Sequence, residues 1–204
     1  VFQLNEPLMQ NFISAHYDQG PEGLSGGDKV DDLPPQTDSR DSTASATVPG
    51  ELFFPASDVA GRAHVATGSR VKTYRSDPPV SGPHWSDANA PIAWGVYTQP
   101  IPDEVLVHNL EHGGVGVHYN CPEGCDDLVA ELSAIVSGVN EIVMSPFPGM
   151  DTRIALTAWT YIDAFDAFDE ERIKTFIGDH LNSPVAPEYT ARGGNQMIRV
   201  DDGG

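Results

Sequence analysis

The chain has 204 residues, and its 30 acidic side chains against 11 basic ones give a formal net charge of −19 at pH 7. Such a surface repels nucleic-acid phosphates and anionic membranes, which argues against both as partners and favours cations, including calcium on the acidic surface. No apolar run approaches the ~20 residues that a membrane-spanning helix needs, so we expect no membrane span in this chain.

Composition divides the chain into an N-terminal extension, residues 1–50, and a globular metal-binding domain, residues 51–204. The extension begins with a short predicted helix capped by Asn5, followed by an acidic linker rich in Gly, Pro, Ser and Asp. The helix carries an apolar stripe that must be buried somewhere: Leu8, Met9, Phe12 and Ile13. We expect it to dock on its own domain or on a neighbouring copy, and favour the neighbour, which would build a homopolymeric filament or ring.

The globular part alternates strand and helix patterns. Helices are predicted at 103–112, 126–138 and 169–181. Short β-rich runs predict strands at 71–75, 114–119, 141–144 and 153–159, with an edge strand at 197–200. We therefore predict an α+β fold, in which a small mixed or antiparallel sheet of four to five strands is covered by two to three helices, preceded by the helix-plus-linker extension.

Two cysteines, Cys121 and Cys125, flank a turn in the stretch CPEGC. Their short spacing fits a local disulfide better than a zinc site that needs four soft ligands. A disulfide indicates an oxidising compartment. The first residue, Val1, fits a mature protein without its secretory signal and equally a cut fragment. We therefore expect a secreted, extracellular or cell-surface protein.

The stretch HNLEHGG sets His108 and His112 four residues apart. In a helix over 103–112 the two side chains lie on one face about 6 Å apart, which suits chelation of one ion. In a strand they would lie ~13 Å apart and could not share an ion. Gly113 fits a helix stop. The metal hypothesis therefore depends on this segment being helical.

A second stretch, DPPVSGPHWSD, forms a proline-braced loop that ends in His84. Metal ligands must be held in place before the ion arrives, and a stiff loop reduces the ordering cost of adding a third ligand to a helical pair. The alternative is a tight turn with an exposed histidine.

Two long motifs and three shorter ones occur in order: PPVSGPH at 78–84, VHNLEHGGV at 107–115, HY at 118–119, AW at 158–159 and APE at 186–188. Together they resemble a bacterial and archaeal family, domain of unknown function 3105, over roughly residues 60 to 190. The resemblance implies an extracytoplasmic protein, often membrane-anchored, with no established activity. The residues that match the family's recurring carboxylate and histidines are Glu111, His64, His84, His108 and His112.

Four histidines from three segments, with a glutamate beside one of them, predict a metal site. Neutral imidazole suits copper and zinc alike, and the order of affinities favours copper where it is available outside the cytoplasm. Glu111 would support the site or act as a general base. The predicted ligands are His64, His84, His108 and His112.

Methionine would add a soft ligand that favours copper, and Met144 and Met150 are candidates, although methionine more often fills a core. The other histidines are expected to be packed or solvated and to take no part in the site. They are His16 in the extension, His118 in a strand and His180 on a helix.

We expect a metal-binding protein rather than an enzyme. The alternative is a zinc-dependent hydrolase, because HNLEH fits H-x-x-E-H, in which two histidines bind zinc and the glutamate is the general base. That mechanism needs a sustained helix and a third ligand, whereas Gly113 and Gly114 predict an early helix end and Glu188 is a distant third ligand. A serine hydrolase is disfavoured because VSGPH lacks the G-x-S-x-G elbow.

Overall fold

The computed structural model describes residues 52–53, 62–87 and 90–189. Its strands are β1 Leu52–Phe53, β2 His64–Val65, β3 His84–Trp85, β4 Gly95–Val96, β5 Val115–Tyr119, β6 Ile142–Pro146, β7 Ile154–Ala158 and β8 Tyr161–Phe165. Its helices are α1 Asp103–Glu111, α2 Asp126–Val136 and α3 Glu170–His180. The predicted N-terminal helix, the linker and the strand at 197–200 lie outside the described residues.

The main sheet is mixed, with strand order β1-β8-β7-β5-β6-β4. Strands β4 and β5 both run parallel to β6, and the remaining neighbours are antiparallel. The connection from β5 to β6 passes through α2, as a parallel pair requires. The predicted α+β class, with a mixed sheet and two to three helices, is confirmed, and the two-residue strands β1 and β4 bring the sheet to six strands.

Successive side chains of the central strands point to opposite faces of the sheet, and both faces are buried. One face packs against α2 and α3 through an apolar cluster that includes Val117, Met144, Leu156, Leu132 and Phe176. The other face packs against α1 through a second cluster that includes Val143, Ala155, Val105, Leu106 and Ile101. The described residues therefore form three layers, in which α2 and α3 cover one face of the main sheet and α1 covers the other.

A small two-stranded sheet of β2 and β3 lies beside α1. The two strands are parallel, and His64 is directly opposite His84 in their register. This pairing joins two segments that are 20 residues apart in the sequence. It positions both histidines next to the helix that carries His108.

The predicted strand at 71–75 is wrong, because the structure has no regular element there. The Val71 backbone N–H donates to the Glu104 carboxylate at 2.6 Å, and the Tyr74 hydroxyl donates to the Pro83 carbonyl at 2.8 Å. Tertiary contacts to α1 and to the proline loop thus hold this segment. The other predicted strands and helices of the described part are confirmed, with ends that differ by up to two residues.

No helix in the described ranges is long and apolar enough to cross a membrane.

Candidate metal centre

Helix α1 carries His108 and Glu111, and His112 is the residue that caps its C-terminal end. The predicted helix over 103–112 is confirmed, and it ends where Gly113 adopts a φ of +86° and its N–H donates to the Leu110 carbonyl at 2.9 Å. Glycine adopts this left-handed backbone conformation without steric cost. The spacing of four residues places His108 and His112 on one face, and their Nε2 atoms lie 3.1 Å apart at the end of the helix.

The proline loop delivers His84 to the same place. Its side chain is fully buried, and its Nδ1 donates to the Gly82 carbonyl at 2.9 Å. Because a carbonyl only accepts, this contact fixes the tautomer with the proton on Nδ1. The Nε2 lone pair of His84 is left for the site. The sequence alternative of an exposed turn histidine is thereby excluded.

His108 is oriented in the same way. Its Nδ1 donates to the carbonyl of Trp85, the residue after His84, and the Trp85 indole donates to the Ser69 carbonyl at 2.7 Å. Histidine ligands in metal sites ordinarily donate their second ring nitrogen to a carbonyl or carboxylate, which orients the ring. Both buried histidines of this cluster have that arrangement.

Four residues form what we call the inner set: His64, His84, His108 and Glu111. Their ligand atoms all lie within 4.8 Å of one another. The nearest Glu111 oxygen is 2.8 Å from His84 Nε2 and 3.9 Å from His64 Nε2. Around a tetrahedral zinc ion, with bonds of about 2.0–2.1 Å, neighbouring ligand atoms are separated by roughly 3.3 Å. The observed separations bracket that value.

Two atoms of the inner set are buried without a hydrogen-bond partner, His84 Nε2 and Glu111 Oε2. They lie 2.8 Å apart and form an ion pair when His84 is protonated, and neither atom has another hydrogen-bond partner among the described residues. Buried polar atoms of folded proteins are nearly always satisfied, so such a pair calls for an explanation. With His64 and His108, these atoms form a group within 4.8 Å of one another that could hold a metal ion.

A second group, the outer set, consists of His108, His112 and Glu188. His112 Nε2 is 3.4 Å from the Glu188 carboxylate. The Glu188 backbone N–H donates to the Glu111 carbonyl at 3.0 Å, which is one of the acceptors left free at the end of a helix. The turn that carries Glu188 is thus attached to the end of α1.

The charges of the cluster are coupled. Burial lowers the pKa of His84, but the Glu111 carboxylate and the Gly82 carbonyl outweigh it, so the net pKa is raised. Burial lowers the pKa of His108, and the neighbouring histidines lower it further. Burial raises the pKa of Glu111, but the surrounding histidines reverse this and hold it below its usual value. Without a metal ion, the cluster therefore favours a protonated His84 beside an ionised Glu111.

The structure brings all four predicted histidines and Glu111 together, but it divides them differently from the prediction. Glu111 lies among the ligand atoms themselves, whereas His112 groups with His108 and Glu188. The sequence predicted Glu188 only as a distant third ligand, in the alternative of a zinc-dependent hydrolase. The sequence signal that pointed to it was the APE motif.

One supporting residue was missed by sequence reasoning. The Asn109 side-chain amide accepts from the Ile92 N–H and donates to the Ile92 carbonyl, both at 2.9 Å. These two bonds attach the segment before β4 to α1. No motif in the sequence indicates this role.

The remaining predicted residues lie outside the cluster. Met144 packs toward α2, where its sulfur contacts the Ser133 hydroxyl, and Met150 is buried in the apolar cluster beneath α1. Neither methionine therefore supports the soft-ligand hypothesis for copper.

The other histidines of the described part do not join the cluster. His118 is buried within the sheet, and His180 packs against the rings of Tyr161 and Phe176. A disulfide joins the two remaining residues of the prediction, Cys121 and Cys125.

Comparison with known protein families identifies the family of the chain. The model of the family described as "Protein of unknown function (DUF3105)" matches residues 64–194, which is more than half of the chain. The matched region begins at His64 and contains every member of the inner and outer sets. No curated protein and no solved structure shows significant similarity to the chain.

Proposed function

The chain belongs to the DUF3105 family of proteins of unknown function, and we propose from the geometry of the inner set that it binds one copper or zinc ion. The ligands are the inner set, His64, His84, His108 and Glu111. The observation that carries the proposal is the convergence of four ligand atoms within 4.8 Å of one another, on side chains of which three are buried.

The donor chemistry selects the class of metal. Three imidazole nitrogens and one carboxylate oxygen suit zinc and divalent copper, and with equal access copper binds more tightly. The proposed site has no thiolate or thioether ligand, so it is not specialised for monovalent copper. The acidic surface would additionally take calcium weakly, in keeping with the net charge of −19.

We place the protein outside the cell, secreted or at the cell surface. The Cys121–Cys125 disulfide supports this location, because such bonds persist in oxidising compartments. Copper and zinc are also accessible there to a histidine site without competition from cytosolic thiols.

We further propose that copies of the chain associate through residues 1–50. In the sequence the extension precedes β1, one of the two edge strands of the main sheet in the described residues, where Leu52 is 60% exposed. Sheet edges expose backbone groups that can pair with another chain. Docking of one copy's extension on the next would produce a homopolymeric extracellular filament or ring.

Metal titration tests the central proposal. Metal-free protein is titrated with zinc and with divalent copper against a competing chelator, and the native protein is assayed for bound elements. We expect one ion per chain. His108→Ala should weaken binding by more than the roughly 10–100-fold that loss of a supporting residue costs. His180→Gln, the matched control, should bind as the wild type does. Equal binding by wild type and His108→Ala would contradict the proposal.

A zinc-dependent hydrolase is the second candidate, because the outer set combines the H-x-x-E-H residues His108 and His112 with a third possible ligand, the carboxylate of Glu188. In that mechanism Glu111 must activate a water molecule, yet here it lies against His84. The Glu111→Gln variant separates the two functions. A hydrolase would keep its zinc and lose peptide hydrolysis, whereas the binding protein would lose affinity for the ion.

A further inference from the structure

His108 belongs to both ligand sets. Its Nδ1 is committed to the Trp85 carbonyl, so only Nε2 is free to bind an ion. A neutral imidazole nitrogen has one lone pair and binds one ion at a time. The inner and outer sets are therefore two alternative positions for a single ion, with His108 as the ligand they share.

The two positions differ in access to solvent. His84 and Glu111 of the inner set have side chains 0% and 3% exposed, whereas His112 and Glu188 of the outer set are 29% and 49% exposed. A hydrated ion or a small metal chelate can reach the outer ligands directly. The inner set has an exposed ligand of its own, His64, but its other three ligands are buried.

The outer ligands are held in place by the fold. Two backbone bonds attach the following segment to the end of α1, one from Glu188 to the Glu111 carbonyl at 3.0 Å and one from Asn182 to the Gly113 carbonyl at 2.7 Å. A carboxylate on an untethered surface segment would not be fixed beside His112 in this way. The arrangement provides a weak, preorganised position next to a stronger one.

We propose, resting on the metal-binding function above, that the outer set is an exchange position through which the ion enters and leaves. The ion first binds His112, Glu188 and His108 after losing water ligands. It then moves inward as His84, Glu111 and His64 replace His112 and Glu188, while His108 stays bound. The reverse order releases the ion to an external chelator. The ion keeps its oxidation state throughout.

The test compares rates with equilibrium binding. In the full-length chain carrying both His112→Ala and Glu188→Gln, stopped-flow mixing measures loading from free zinc and unloading to a chelator. An intermediate affects both directions alike, because the binding constant is the ratio of the two rates. We expect loading and unloading each to slow by about tenfold or more, with one ion still bound per chain at nearly unchanged affinity.

The controls and contrary outcomes are distinct. Glu131→Gln, which changes an exposed carboxylate on α2, should leave both rates unchanged. The variant carrying both His112→Gln and Glu188→Gln keeps side chains of similar size at the two positions, and it controls for lost side-chain volume. Loss of tight binding in the double variant would make the outer residues ligands of the final site and overturn the proposal. Unchanged rates, or two ions bound at once by the wild type, would also overturn it. A wild type that binds no ion would instead reject the metal-binding function itself.

Discussion

His84 Nε2 and Glu111 Oε2 lie 2.8 Å apart in the interior of the protein, with side chains 0% and 3% exposed. Burying such a pair removes both groups from water, and the attraction between them does not reliably offset that cost. Two apolar residues would fill the same space at a lower cost in free energy. A contribution to folding stability is therefore a weak explanation for this pair, and ligation of an ion is a stronger one.

Replacing Glu111 by glutamine should lower the pKa of His84 in the metal-free protein. Burial by itself lowers this pKa, and the Glu111 carboxylate is the largest influence that reverses the effect. Without the carboxylate charge, the pKa of His84 should be lower than in the wild type. Titration of the imidazole ring signals by NMR measures it. Glu131→Gln should leave the pKa unchanged, and a His84 pKa that stays raised in Glu111→Gln would contradict this assignment.

Metal affinity should fall with decreasing pH, beginning above pH 6.5. A bound ion requires neutral imidazole, so His84, whose pKa is raised in the metal-free protein, must lose its proton on binding. His108, whose pKa is lowered, competes with protons much less. For an ordinary histidine the fall would begin near pH 6.5. The ion pair moves it upward.

Chelator competition at a series of pH values measures this dependence, together with proton release in buffers of different ionisation enthalpy. In Glu111→Gln, whose absolute affinity is lower, the fall should begin at a lower pH than in the wild type. An affinity independent of pH between about 6 and 8 would exclude His84 as a ligand that releases a proton.

His118 should make the protein less stable in acid. It is completely buried in the sheet, hydrogen-bonded to the Thr157 hydroxyl at 2.9 Å, and burial lowers its pKa to about 3. Between pH 3 and 6.5 the unfolded chain binds a proton here that the folded chain does not. The contribution of His118 to folding is therefore complete above pH 6.5 and is lost toward pH 3, by up to about 1.4 kcal/mol per pH unit.

Urea unfolding across this pH range measures the effect as a slope. Because His118→Gln has no titrating group at this position, its free energy of unfolding should depend less steeply on pH than that of the wild type. The comparison uses slopes, so a constant difference in stability does not affect it. Identical slopes for the two proteins would show that His118 keeps an ordinary pKa in the folded state.

The sequence predicted the helix of the site better than its surroundings. The histidine spacing and Gly113 are local signals, and they predict both α1 and the approach of His108 to His112. Short strands such as β2 and β3 carry no periodicity, because two residues cannot display one. Their pairing, which aligns His64 with His84, depends on packing against α1. The same dependence explains the error at 71–75, where side chains distant in sequence supply the hydrogen bonds.

Gly114→Ala should destabilise the fold and weaken metal binding. A Cβ at this position would overlap the Trp94 ring and lie 2.9 Å from the Asn109 carbonyl oxygen. Relief of the overlap requires movement of the chain at the end of α1, next to His112. Overpacking of this kind costs about 1–3 kcal/mol, and the displaced ligands should bind the ion less tightly.

Gly178→Ala is the matched control for that change. Gly178 lies inside α3, and a Cβ there would meet no atom within 4 Å. Alanine in a helix interior is favoured over glycine by roughly 0.5–1 kcal/mol, so this variant should be more stable with unchanged affinity. Thermal unfolding and metal titration of both variants test the pair. A Gly114→Ala variant as stable as the wild type would contradict the packing argument.

Deleting residues 1–17 should dissociate the proposed assembly. The apolar stripe of this segment is too short to be stable as an isolated helix in water, so it requires a surface to cover it. If that surface belongs to a neighbouring copy, the shortened chain should be a monomer of about 20 kDa, close to the 21.9 kDa of the full chain. Because both partners are acidic, salt or divalent cations should strengthen association of the full chain, and chelators or low ionic strength should weaken it.

Light scattering measures the mass, and a chain with residues 1–17 in scrambled order controls for length and charge. An assembly unchanged by the deletion, or a full-length chain that is already monomeric under all these conditions, would end this interpretation.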